Sequence, residues 1–390
     1  MNSKKITVLF LARWYPHRYD SMLGLFVHRH AVAVKRYCNV GTVYTHNDTE
    51  KKINGYEIDF NTEEGVPVVR VYYNGSNNPV TKAVKFWKAN RLGIKRMEQQ
   101  IGSFNIIHVH ILTRLGLVAL YYKWSKKIPY VVSEHWSRYL SLTGGFSGFL
   151  RKKLTRLVVK NARLITTVTQ NMTNAMKGHK LFNNHYRILA NVVDEPFLTT
   201  QPVTGEGKTK IRLLHVSCFE DVSKNVSGII NVLAKLKDRN DFEFHFIGDG
   251  MDFSKVVKRA EALGLDKNKI VFHGLMDSRG IAAEMAKTDL LVMFSNYENF
   301  PVVINEAFCM GVPVLATAVG GIPEKVNHSN GILINPRDEK ALKKSIRDFL
   351  DKKITFDTRD LMKRSRKEFS ADTIGKELLG YYENALSNKK

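Results

Sequence analysis

The sequence predicts an α/β protein made of two doubly wound domains in series, and three observations carry that prediction. Apolar runs of strand length alternate with helical segments along almost the whole chain, a pattern that gives a parallel sheet covered on both faces. A polar, turn-rich stretch, "TTQPVTGEGKTK" from Thr199, interrupts the pattern once, and the alternation then restarts. With 390 residues, 44% of them hydrophobic, the chain is long enough for two cores of ordinary size.

Taken in order, the candidate strands before the polar stretch are "KITVLFLA", "NVGTVYT", "VPVVRVYY", "NIIHVHI", "PYVVSEH", "ARLITTVT" and "YRILANVVD". Those after it are "IRLLHVSCF", "FEFHFIGDG", "KIVFHGL", "DLLVMFS", "VPVLATA" and "GILINP". The expected division is residues 1–198 and 199–371, with a last helix over 372–390 packing back on the first domain. Two such domains are expected to face each other across a cleft. No run approaches the roughly 20 apolar residues of a membrane span, and "ITVLFLA" after two lysines reads as a buried first strand rather than a leader. The cysteines Cys38, Cys218 and Cys309 are odd in number and far apart, which points to a reduced, cytoplasmic protein without a disulfide frame or zinc site.

The net charge is +23, and its placement says more than its size. Residues 1–200 hold 30 Lys and Arg against 11 Asp and Glu, leaving the remainder with 30 against 26. A basic first half next to a near-neutral second half implies an anionic partner for the first. Two stretches carry much of this charge: "VTKAVKFWKANRLGIKRM" and "FSGFLRKKLTRLVVKNARL". Both read as basic amphipathic helices, suited to anionic membrane or else solvated and packed on the sheet; on the first reading the cytoplasmic protein is peripheral on the inner face of the plasma membrane. No nucleic-acid recognition motif accompanies the charge, and nucleic acid is not expected as a partner.

Ligands of doubly wound sheets bind outside the carboxyl ends of the strands, so the loops there hold the candidate chemistry. None carries G-x-G-x-x-G or a P-loop, which disfavours nicotinamide enzymes and P-loop ATPases. The densest signal is "LLVMFSNYENFPVVINEAFCMGVPVLATAVGG", Leu290 to Gly321. A strand, a polar loop and a helix follow one another there, with Pro301 expected in the first helical turn and Gly311 ending it. The helix N-terminus offers N–H groups to a diphosphate, while Glu298 and Glu306 suit hydroxyls. A polyhydroxylated, phosphate-bearing molecule fits both, namely a sugar nucleotide.

The same run resembles the donor-site signature of the retaining family 4 nucleotide-sugar glycosyltransferases, which have the GT-B fold of two Rossmann-like domains. The residues that carry the resemblance are Glu298, Glu306, Gly311, Pro313, Val314, Gly320, Gly321, Pro323 and Glu324, with fainter echoes in "VSCFEDVSKN", "FIGDG", "VFHG" and "ANVVD". The resemblance implies that Glu298 meets the donor sugar and Glu306 the ribose hydroxyls. It also implies that the backbone around Asn299, Phe300, Pro301, Val302 and Val303 meets sugar and diphosphate. Lys224 stands where the family has a phosphate-neutralising lysine, and Ser217 and Leu275 lie in the neighbouring loops. The family's usual arginine position falls on Cys218, leaving the second cation open.

In the first half, only Gly24 remains of the family's glycine-rich loop. His135 is expected to bond a donor hydroxyl or relay a proton, with Glu134 beside it and Trp136 as a wall for an acceptor sugar. His28 and His30 read as surface or packing residues. Of His108 and His110, only one is expected to face any given side of its strand, and His110 is the site candidate. The implied reaction moves a sugar from a nucleoside diphosphate sugar to a glycan or lipid-linked glycan, with no metal or other cofactor required. A sugar-nucleotide epimerase of the same fold and a non-enzymatic basic surface-binding protein are the alternatives.

Overall fold

The computed structural model describes residues 5–112, 114–140, 144–203 and 209–387. The chain divides into two compact units, Met1–Val192 with Ala371–Lys390, and Val193–Ser370. The polar stretch at residues 199–210 therefore lies inside the second unit, and its residues 204–208 are outside the described ones. The crossover falls at 192/193 because the Val193 N–H donates to Phe369 O, at 3.0 Å, and a short helix over 195–199 packs within the second unit.

In the first unit the chain runs β1 (Thr7–Ala12), α1 (Leu25–Val34), β2 (Asn39–Asn47), β3 (Glu57–Glu63), β4 (Val66–Tyr73), α2 (Pro79–Ile101), β5 (Ile106–His110), α3 (Leu115–Lys126), β6 (Tyr130–Glu134), α4 (Phe149–Asn161), β7 (Ile165–Thr167), α5 (Gln170–Gly178) and β8 (Tyr186–Ile188). The sheet order is β3-β4-β2-β1-β5-β6-β7-β8. Every pairing is parallel except β3 with β4, an antiparallel edge the sequence reading did not contain. Glu64 and Gly65 both have positive φ and join the two strands as a two-residue hairpin, which matches strand twist. The run "YRILANVVD" supplies only three residues of β8 and then leaves the sheet.

The unit has a core on each face of its sheet, as a doubly wound fold requires. On β1, Leu9 and Leu11 join the cluster beneath α2 and α3, while Val8, Phe10 and Ala12 join the one beneath α1. A strand buried on both faces reads as an unbroken apolar run, which is why "ITVLFLA" is legible as β1.

The second unit continues with α6 (Glu195–Thr199), β9 (Ile211–Val216), α7 (Asp221–Lys224), α8 (Val226–Ala234), β10 (Phe242–Ile247), α9 (Phe253–Ala262), β11 (Ile270–Phe272), α10 (Ser278–Met285), β12 (Leu290–Met293), α11 (Val302–Cys309), β13 (Val314–Thr317), β14 (Gly331–Ile334), α12 (Glu339–Leu350) and α13 (Thr358–Glu368). Its six strands lie in the order β11-β10-β9-β12-β13-β14, all parallel. Counted within the unit this is 3-2-1-4-5-6, the doubly wound order whose strand direction of winding reverses between β9 and β12. The chain then returns to the first unit as α14 (Ala371–Ser387), which packs on α1.

Candidate active site

The reversal point of the second unit places the loops after β9 and β12 side by side, and a buried ion pair joins them. Lys224, at the end of α7, reaches Glu298 Oε1 at 2.5 Å, with the two side chains only 16% and 9% exposed. Ser295 Oγ donates to the same carboxylate oxygen at 3.0 Å. Burial by itself would depress the lysine, but the charge and hydrogen bond of Glu298 outweigh it and hold the ammonium above its ordinary pKa. The site thus carries an ammonium whose partner is also a hydrogen-bond acceptor.

The surrounding backbone fixes this pair. The Asn296 N–H donates to Ser223 O at 2.8 Å and its Nδ2 to Val222 O at 2.9 Å, tying the β12 loop to α7. Thr317 Oγ1 donates to Ser295 O at 2.6 Å. Gly320 has φ +57°, and a Cβ there would stand 1.9 Å from Glu298 O, while the Gly321 N–H donates to Asn299 O at 2.8 Å. The Gly-Gly turn is therefore the backing of the Glu298 loop, a contact only glycine permits.

Pro301 stands at the N-cap of α11, one step outside the first helical turn where it was expected, and supplies no side-chain cap. The first amides of α11 are thus left to other acceptors, in keeping with an anion site. Asn299, Phe300 and Val302 are half-buried in this loop, and Val303 is 9% exposed. Glu306, one turn further on, is also 9% exposed. Ser217 is half-buried after β9, with its Oγ 2.7 Å from His215 Nε2. The other ring nitrogen of His215 lies 2.8 Å from Val292 O, and burial lowers this histidine to about 4, so it links β9 to β12 as a neutral ring. Cys218 is exposed, and Leu275, after β11, is 74% exposed. Ser295, Asn296 and His215 escaped the sequence reading, although the first two stand within three residues of Glu298.

In the first unit the expected residues separate. Gly24, at φ +68°, is the N-cap of α1, and a Cβ there would meet the Trp14 carbonyl carbon at 2.3 Å, so its freedom serves the packing of its own loop. Glu134 turns inward: its fully buried carboxylate accepts from the N–H groups of Leu112, His135 and Trp136 at 2.8–2.9 Å. Burial raises its pKa, and its service is to hold the loop after β6, not to meet an acceptor.

His108 and His110 correct the expectation of opposite sides. Residues two apart on a strand share a face, and their rings lie 4.0 Å apart, both against Phe10. His108 is bonded to Tyr382 Oη and Ser133 Oγ, each at 2.7 Å. His110 is fully buried beside His30 and His135, inside the unit rather than on an acceptor surface. Burial holds all of these rings neutral, well below the usual histidine range. His28 and His30 are both buried packing residues, His28 bonded to Tyr15 and Glu64. His135 packs on Phe26 at 4.4 Å, and Trp136 lies over Trp14 with ring centres 5.3 Å apart.

Comparison with known proteins adds the family. The model of Glycosyl transferases group 1 matches residues 198–369, and that of Glycosyltransferase Family 4 matches residues 31–196. N-acetyl-alpha-D-glucosaminyl L-malate synthase of Bacillus anthracis is 26% identical over 238 residues, 58% of this chain and 60% of its own. The matched part of this chain thus spans about three-fifths of that relative's length. The putative teichuronic acid biosynthesis glycosyltransferase TuaC of Bacillus subtilis (strain 168) is 22% identical over 298 residues, 74% of this chain and 72% of its own. Among solved structures, Anabaena Alr3699/HepE in complex with UDP is similar with a TM-score of 0.70 at 19% identity, covering 97% of this chain and 100% of that one. With the two models matched in series between residues 31 and 369, on a GT-B fold, the chain belongs to the group 1 and family 4 glycosyltransferases.

Proposed function

We propose that this protein is a retaining glycosyltransferase that moves a sugar from a nucleoside diphosphate sugar to a glycan or lipid-linked glycan in polysaccharide or glycoconjugate biosynthesis. The observation that carries the reading is the buried Lys224–Glu298 pair beside the uncapped start of α11. Lys224 offers its charge to the departing diphosphate, and the amides of Phe300, Val302 and Val303 offer N–H groups. Glu298 accepts from a hydroxyl of the transferred sugar, and Glu306 from the ribose. Asn299, Pro301, Ser217 and Leu275 shape the rest of the donor pocket. The acceptor oxygen bonds to the anomeric carbon on the face the diphosphate leaves, and the acceptor proton passes to the departing phosphate oxygen. Beyond the nucleotide sugar no cofactor enters this scheme, because Lys224 and the helix start carry the phosphate charge.

Support for the membrane side comes from α2 and α4. Val80, Val84 and Trp87 are exposed among Lys82, Lys85 and Lys88, and Phe149 and Leu150 among Arg151, Lys152 and Lys153. We infer that these faces adsorb on an anionic leaflet, a peripheral mode that needs no membrane-crossing helix. Flotation with anionic but not neutral vesicles is expected; equal recovery with both would sink this part.

The catalytic reading is tested by offering nucleoside diphosphate sugars with and without acceptor glycans and assigning the new linkage by NMR. Acceptor-dependent donor consumption with the donor's anomeric configuration kept is expected. Consumption without acceptor would favour an epimerase, and an inverted linkage would overturn retention.

A further inference from the structure

A cavity of about 570 Å³ opens in the first unit where β1, β2, β4, β5 and β6 end, with α2 and α4 on its walls. This is the end of a doubly wound sheet at which ligands bind. Five cations line it, Arg13, Lys82, Arg114, Arg138 and Arg151, and no carboxylate does. Arg138 is braced, donating to Leu112 O at 2.6 Å and stacking 4.0 Å over Trp136, which itself lines the cavity. The side chains of Arg13, Lys82 and Arg114 have no ion-pair or hydrogen-bond partner among the described residues. Elsewhere in the unit Arg18 pairs with Asp48 and Glu57, and Arg70 with Glu63. Cations therefore face this cavity with no carboxylate among its lining, and their mutual repulsion is relieved by an oxyanion. Guanidinium forks match phosphate oxygens two at a time.

An apolar wall completes the lining, interleaved with the cations on the same helices: Phe86 stands one turn from Lys82 on α2, and Leu150 and Leu154 flank Arg151 on α4. Phe86, Leu117, Leu154 and Val158 line it, and Leu150, 65% exposed, carries the apolar surface out to the rim beside Phe149. A wholly polar acceptor leaves that wall unused. A larger hollow of about 1060 Å³ lies at the amino ends of β7 and β8; Lys123, Lys160, Arg163 and Arg187 line it, but its aliphatic side chains are only Ala162, Leu164 and Ala385, and Lys123 is engaged by Asn161 O.

We propose that the cavity holds the acceptor by a diphosphate joined to an apolar chain, so that the acceptor is a diphosphate-linked lipid; this rests on the glycosyltransferase reading above. The diphosphate lies among Arg13, Lys82 and Arg114, and the first apolar units of the chain lie along Phe86, Leu150 and Leu154.

The test is calorimetric titration of the full chain, in saturating UDP so that the donor pocket is filled, with three probes: farnesyl diphosphate below its critical micelle concentration, farnesol and inorganic diphosphate. Farnesyl diphosphate is expected to bind at least about tenfold more tightly than either of the others. Arg114→Glu and Lys82→Glu each weaken it about tenfold, a difference of about 1.4 kcal/mol. Both positions lie at exposed helix starts where a glutamate suits the helix dipole, so the variants fold, and an unchanged melting shift with UDP checks this. Equal binding of inorganic diphosphate would reduce the site to an anion site, and equal binding of farnesol to an apolar one; either overturns the proposal, as do variants that bind unchanged. A wild-type protein that no nucleoside diphosphate stabilises would instead remove the donor reading, and the farnesyl diphosphate titration would still decide the cavity.

Discussion

Glu298 is asked to be two things, the counter-ion of Lys224 and a hydroxyl acceptor, and the geometry allows both because Lys224 occupies only Oε1 alongside Ser295. Lys224→Met and Glu298→Gln are each expected to lower kcat/KM by about 10²–10³-fold, as removal of a positioned charge at a reacting centre does. Each also strands a buried charge, so each destabilises; the double variant is less destabilised than the sum, which a denaturation cycle measures. Buried histidines set a second residue-scale expectation. His30 and His215 are both lowered to about 4, so the unfolded chain takes up protons near the ordinary histidine pKa of 6.5 while the folded chain does not. Stability is therefore full above about pH 6.5 and falls as pH drops from there toward 4, by on the order of 2 kcal/mol per histidine at pH 5. Melting temperatures across pH 5–8 check the sign. The sequence offers Glu298 and Glu306 at a strand-to-helix junction and Lys224 only through the family resemblance, and the structure brings Lys224 and Glu298 into contact. Glu134 was misread because sequence shows a carboxylate's position but not that three amides of its own loop already hold it.

Elements differ in how plainly they are written. All parallel strands of the second unit lie within apolar runs bounded by turns, and none was missed. Strand β3 was missed because five of the seven residues of "EIDFNTE" are polar and it lies at a sheet edge, where one face meets solvent and the apolar signal is diluted. Its clue was the Glu64–Gly65 pair between two extended runs. The Gly-Gly turn after β13 shows the converse, a short motif whose meaning is wholly tertiary. Gly320→Ala places a methyl against Glu298 O in a left-handed backbone, and the expected loss is at least about 1–3 kcal/mol together with weaker donor binding. Isothermal denaturation and a nucleoside diphosphate titration of the same sample report the two effects; a variant with both unchanged would mean the turn does not support the loop.

At the scale of the molecule, the chain crosses between its two units twice, at 192/193 and at 370/371. The segment that returns is not decoration. Ile374, Leu378 and Tyr382 of α14 are buried in the first unit's core, and Tyr382 bonds the buried His108. Burying three such side chains contributes about 5 kcal/mol or more, comparable to the whole stability of many domains. Deletion of residues 371–390 is expected to leave the first unit open to limited proteolysis while residues 193–370 stay resistant; equal resistance of both would contradict this. Tyr382→Phe, by contrast, removes one buried hydrogen bond and costs about 1–2 kcal/mol.

The return of α14 also sets an order of manufacture. A ribosome releases residues 5–192 first, yet their core stays incomplete until the last helix emerges, after all of residues 193–370. The continuous unit, made second, is the first that can close. During synthesis the apolar floor that α14 will cover, with Val8, Phe10 and Ile106 on its strands, stands uncovered for the time taken to translate about 180 residues.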